Sequence, residues 1–185
     1  MPPINVYHCE HCNEVLHEGW GGYQYVENER GQRICCPHPG EEYTICEVLC
    51  IAHDDYRQAF PLCAPAAPPG PSWWWSMSKK DAYLRDIKLR EEKILSVRTL
   101  VESRTGYNSE CICRKCMKKC DLDLGDQETA KESWRWYYKA IQPKDKRRCP
   151  NCGSQDINTV FELIGRACPF CKTGRIIEEE TNVRS

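Results

Sequence analysis

No run in this chain approaches the roughly 18 apolar residues that a membrane-spanning helix requires. The start, Met1-Pro2-Pro3-Ile4-Asn5-Val6-Tyr7, lacks the basic and apolar regions of a secretory leader. Catalytic signatures are missing too. There is no phosphate-binding Gly-x-x-x-x-Gly-Lys-Ser/Thr loop, Gly-x-Gly-x-x-Gly fingerprint, His-Glu-x-x-His helix or Gly-x-Ser-x-Gly elbow. The zinc-deaminase pattern fails as well, because no His-x-Glu precedes a Pro-Cys-x-x-Cys. These absences point away from catalysis and from membranes. The expectation is a non-enzymatic protein of a reducing, cytoplasmic compartment.

What the chain has in abundance is cysteine. Fifteen in 185 residues is about 8 %, the level at which a short secreted chain would be read as a disulfide scaffold. Two features argue for metal thiolates instead: the count is odd, and ten of the cysteines lie in Cys-x-x-Cys or Cys-Cys pairs. A two-residue gap lets one tight turn aim two thiolates at a single ion. Zinc takes four such ligands tetrahedrally, and a site closed by four cysteines is usually structural.

The first module, residues 1–63, opens on Cys9 and Cys12 and continues through an aromatic strand around Trp20, Tyr23 and Tyr25. A turn at Glu27–Gly31 and a short return strand lead to Cys35, Cys36 and His38. These five residues are the candidate ligands of a first site; His8, His11 and His17 are read as exposed or supporting. Cys46, Cys50 and His53 fall at helical spacing if residues 44–58 form one helix, and with Cys63 they are either a further metal site or packing. Packing is the preferred reading.

Five prolines between Pro61 and Pro71 mark a stiff linker, and residues 64–75 end in Trp73, Trp74 and Trp75. Three adjacent tryptophans cannot share one face, so at least one is exposed or covered by another module; they either anchor a partner or pin the linker onto the protein's own surface. Residues 76–106 follow as one long amphipathic helix, with Ser78 as its expected N-cap and Gly106 as its stop. The module 107–185 holds Cys111, Cys113, Cys116 and Cys120, then Cys149, Cys152, Cys168 and Cys171. Two pairings are open. Cys149/Cys152 join Cys168/Cys171 across fifteen residues, with the 111–120 cluster holding its own ion, or they join Cys113/Cys116. The shorter loop costs less closure entropy and is preferred.

Charge is unevenly spread. Residues 1–63 hold three basic and ten acidic residues, whereas 79–148 hold nineteen basic and twelve acidic. Aromatic and basic residues interleave at Trp134, Arg135, Trp136 and Lys139. With Arg114, Lys115, Lys118, Lys119, Arg147 and Arg148 they make a candidate nucleic-acid surface, since bases stack on rings while cations follow phosphates. The aromatic residues also serve as core in the competing reading.

Residues 1–45 and 107–177 resemble zinc-ribbon proteins in their knuckles of Cys-x-x-Cys. That resemblance implies a small metal-bound α+β fold, with two zinc-ribbon-like β modules joined by the proline linker and the long helix. It implies two to four zinc ions, three on the reading above. The expected function is a multi-zinc adaptor or regulator with a protein partner and a nucleic-acid contact in its C-terminal module. A protein-only interaction module is the alternative, and an iron–sulfur or thiol-redox protein is the third reading.

Overall fold

The computed structural model describes residues 4–61, 69–125 and 143–180. They form a mixed α+β protein with two sheets. The chain divides into two units, one made of residues 1–25 with 106–185 and the other of residues 26–105. The expected first module is therefore divided after Tyr25, and its first knuckle belongs with the far end of the chain.

In the discontinuous unit, β1 (Asn5–Cys9) is the middle strand of a sheet whose edges are β2 (Val15–Gly19) and β8 (Ile176–Glu180). Both pairings are antiparallel, and Cys9 lies opposite Ile176. The second sheet is built on β5 (Thr105–Cys113). Its neighbours are β3 (Gly22–Glu27), β6 (Lys119–Leu122) and β7 (Ile157–Thr159). Side chains alternate across a strand, and β5 uses that alternation to serve two cores. Ile112 packs with Tyr7, Leu16, Val160, Leu163 and Ile176. Cys111 and Cys113 pack with Leu122, Cys149 and Ile157.

A short helix, α4 (Val160–Leu163), is held by a capping box. Glu162 N–H donates to Thr159 Oγ1 at 3.2 Å, and Thr159 N–H donates to the Glu162 carboxylate at 3.0 Å. Arg147 grips the same carboxylate with two bonds of 2.7 and 2.8 Å, which holds Glu162 below its ordinary pKa. Asp123 is wholly buried and accepts a 2.6 Å bond from Tyr25 OH. Gly106 lies against this pair, where a Cβ would stand 2.2 Å from Asp123 and 2.4 Å from Tyr25 OH. Gly106 is thus a strand residue needed for close approach, where the sequence reading made it a helix stop.

The continuous unit holds β4 (Arg33–Cys35), α1 (Glu41–Leu49), α2 (His53–Ala59) and α3 (Met77–Arg104). Asn28 Oδ1 accepts from the N–H groups of Arg30 and Gln32, making the turn that leads into β4. The single helix expected over 44–58 is two helices. Cys50 caps α1 in the left-handed region at φ 53°, which breaks the shared face that Cys46, Cys50 and His53 would otherwise have had. The α3 cap is Ser76, whose hydroxyl accepts from Lys79 N–H at 3.4 Å, and not Ser78. Val97 and Val101 are its buried residues. Arg98 Nε donates to Ala59 O at 2.7 Å and Lys93 pairs with Asp55 at 2.6 Å, fixing α3 to α2. Trp73 and Trp74 are exposed, whereas Trp75 packs edge-on to Tyr83 with Lys79 over its ring.

Candidate metal centres

Four turns of identical construction carry eight of the cysteines. In each, the residue after the second cysteine returns its N–H to the carbonyl of the first. Asn13 donates to Cys9 at 3.0 Å, Met117 to Cys113 at 2.8 Å, Gly153 to Cys149 at 2.9 Å and Lys172 to Cys168 at 3.1 Å. The return requires a left-handed residue, and all four have it, with φ of 55°, 59°, 71° and 64°. Gly153 and, more weakly, Asn13 announce this in the sequence; Met117 and Lys172 adopt it against their side chains.

The turns face one another in pairs. Cys9, Cys12, Cys168 and Cys171 form one cluster, and Cys113, Cys116, Cys149 and Cys152 form the other; within each, every sulfur lies within 4.8 Å of the rest. In the first, Cys9 Sγ is 3.6 Å from Cys171 Sγ and Cys12 Sγ is 3.9 Å from Cys168 Sγ. In the second, Cys113–Cys152 is 3.5 Å and Cys116–Cys149 is 3.6 Å. A tetrahedron with metal–sulfur bonds of about 2.3 Å has edges of about 3.8 Å, so a zinc-sized ion fits both. The preferred pairing of Cys149/Cys152 with Cys168/Cys171 is therefore replaced. Register is the cause: β1 and β8 are adjacent, so the turn that ends β1 meets the turn that precedes β8.

Backbone amides converge on the sulfurs. His11 and Cys12 N–H point at Cys9 Sγ at 3.4 and 3.5 Å, Phe170 N–H at Cys168 Sγ at 3.4 Å, and Gly174 N–H at Cys171 Sγ at 3.4 Å. Such donors favour thiolate over thiol. The Thr173 hydroxyl, followed by the N–H groups of Gly174 and Thr173, brings Cys171 down to about 5. Burial opposes ionisation of Cys149, but the N–H groups of Cys152 and Asn151 outweigh it and bring that thiol to about 6. Their neighbours move the other way. The Glu14 amide favours the Cys12 thiolate, yet desolvation and the three facing thiols push Cys12 up to about 12. Four thiolates this close cannot all be charged without a cation among them. The geometry of each cluster lets it hold one.

The remaining expected ligands are placed elsewhere. Cys36 is buried with its thiol toward Ile34 O, and His38 Nδ1 is 2.8 Å from the Glu41 carboxylate. Neither they nor Cys35, Cys46, Cys50 and His53 fall into a metal cluster among the described residues. Cys63 lies outside the described residues. Cys111 and Cys120 stand directly opposite each other on β5 and β6, beside the second cluster but not within its four sulfurs.

Of the basic candidates, Arg114, Lys115 and Lys118 are exposed on the rim of the second cluster. Lys119 Nζ donates to Val15 O at 3.1 Å, Arg148 Nε to Gly153 O at 3.1 Å, and Arg147 is engaged by Glu162. Trp134, Arg135, Trp136 and Lys139 lie outside the described residues. Among the described residues, no helix is long and apolar enough to cross a membrane. Compared with known protein families, curated proteins and solved structures, the chain matches none.

Proposed function

We propose that this protein is a non-enzymatic adaptor of the zinc-ribbon kind, in which two zinc ions hold together a unit too small to stabilise itself by burial alone. The observation that carries the reading is the closure of both clusters by four cysteines each. With every tetrahedral position taken by a protein sulfur, the ion has no open site for water or substrate, which is the mark of structural zinc. Apparent binding energies of about 10–16 kcal/mol per structural zinc at neutral pH exceed the net stability of most domains.

Contact with nucleic acid is the proposed role of the basic rim. Arg114 and Lys115 sit inside the turn that presents Cys113 and Cys116, with Lys118 just after it, so their charges are displayed on a rigid, metal-fixed loop. Exposed Trp73 and Trp74 supply the proposed anchor for a protein partner. A protein-only module is favoured by one observation: Arg147 and Lys119 are already committed within the unit.

Two measurements on the full chain decide between these readings. Metal analysis of protein purified under reducing conditions is expected to find at least two zinc ions per chain and no iron; iron would support the iron–sulfur reading instead. Labelled single-stranded RNA and duplex DNA are then titrated at rising salt. Binding that weakens steeply with salt supports the rim as a phosphate contact, and no binding even at low salt leaves the protein-only module.

A further inference from the structure

One side of α3 is covered by its own unit. Val97 and Val101 are buried, and Arg98 and Lys93 tie that half of the helix to α2. Nearer the start, Tyr83 donates to Pro69 O and packs edge-on to Trp75. The adjoining stripe is left open. Met77, Lys80, Leu84, Ile87, Glu91 and Ile94 recur at alternating spacings of three and four, the spacing of a coiled-coil seam, which places them on one face. Met77 and Leu84 are 71 % and 53 % exposed and Glu91 is exposed, while Lys80, Ile87 and Ile94 are half-buried. The ion pairs of α3 are Lys88–Glu92, Arg90–Asp86 and Lys93–Asp55; Lys80 and Glu91 take part in none among the described residues.

We propose that this stripe is the seam of a homodimer, paired with the same stripe of a second copy of the chain running antiparallel. Its residue order is self-complementary. A two-fold axis at the level between Arg85 and Asp86 sets Leu84 opposite Ile87 of the second copy, Lys80 opposite Glu91, and Met77 opposite Ile94, each contact made twice. Two apolar layers then lie at the centre, an opposite-charge pair bounds them on each side, and an apolar layer closes each end. Lysine and glutamate carry their charges to the edge of such a seam while their stems cover its apolar surface. A parallel, in-register pair would instead set Lys80 against Lys80 and Glu91 against Glu91. Charge therefore selects the antiparallel direction.

The test is sedimentation equilibrium of the zinc-loaded full chain beside three variants. The wild type is expected to form a dimer. Lys80→Glu and Glu91→Lys each set like charges across the seam at two symmetric places, and each is expected to weaken association roughly tenfold. The swap Lys80→Glu/Glu91→Lys is expected to restore it. Within one helix these residues stand ~16 Å apart, so rescue reports a contact between copies and not a repair inside the chain. A monomeric wild type overturns the proposal, and so does a swap no tighter than the single variants. Should a variant fail to fold, carbodiimide cross-linking of mixed unlabelled and ¹⁵N-labelled wild type answers instead. A Lys80–Glu91 link joining one labelled and one unlabelled peptide is expected, and a dimer without it contradicts the antiparallel seam.

Discussion

Asn13, Met117, Gly153 and Lys172 occupy the same place in four turns, and each pays a different conformational penalty for it. Left-handed backbone costs an L residue about 1–2 kcal/mol, less for asparagine and nothing for glycine. Met117→Gly and Lys172→Gly are therefore expected to stabilise the metal-bound protein by roughly 0.5 kcal/mol each, after the greater freedom that glycine gives the unfolded chain. Gly153→Ala is expected to cost about 1 kcal/mol, and urea unfolding measures all three. Thr173 offers a second check. Because its hydroxyl helps hold Cys171 down at about 5, the thiolate's contribution is complete above the ordinary thiol range and is lost as pH falls through that value. Protons compete with metal for the same sulfur. Thr173→Val should move the midpoint of metal loss on acidification to higher pH; an unchanged midpoint would show that the hydroxyl does not matter. The thiols themselves were legible in the sequence because a Cys-x-x-Cys gap is a local signal. The left-handed methionine and lysine were not, since nothing in their chemistry favours that conformation.

β5 is the element that makes two centres from one chain. Its alternation sends Ile112 to the core beside the first cluster and Cys113 to the second. Its start is held by the fully buried Asp123, bonded to Tyr25 OH and packed on Gly106. Gly106→Ala would drive a methyl into both side chains, and a destabilisation of about 1–3 kcal/mol is expected by chemical denaturation. Tyr25→Phe leaves the carboxyl without its closest donor and should cost about 1.5–3 kcal/mol in the same assay. The long helix was legible as an element over residues 76–106, although its cap lies at Ser76 and its end at Arg104, and of its apolar residues only Val97 and Val101 are buried while Leu84 and Leu95 are exposed. Gly106 misled because a glycine after a helical stretch reads as a stop, while its reason here is a tertiary contact that sequence does not display. Cys50 misled in the opposite sense. Helical spacing placed it on one face with Cys46 and His53, and a left-handed cap removed it.

At the scale of the molecule, the N-terminal turn closes on the C-terminal one, so the first centre joins cysteines separated by most of the chain. Loop entropy does not forbid this. Extending the loop from the fifteen residues between Cys152 and Cys168 to the 155 between Cys12 and Cys168 costs about 2 kcal/mol, against the roughly 10–16 kcal/mol that a structural zinc contributes. The pairing was illegible for that reason: spacing discriminates weakly, and the strand register that decides it is a tertiary fact. The charge contrast along the sequence also dissolves in the fold. Residues 26–105 carry eleven basic and twelve acidic side chains, and the other unit carries fifteen of each. Chelation of the metal is expected to raise hydrogen exchange in residues 4–25, 106–125 and 143–180 while α1, α2 and α3 keep their protection, because both clusters lie in the first unit. Uniform loss across the chain would contradict that division. The most direct measurement is thiol alkylation mapped by mass spectrometry on zinc-loaded Cys9→Ser/Cys12→Ser. The cross-chain pairing predicts that Cys168 and Cys171 become reactive while Cys149 and Cys152 stay protected. Continued protection of Cys168 and Cys171 would contradict it.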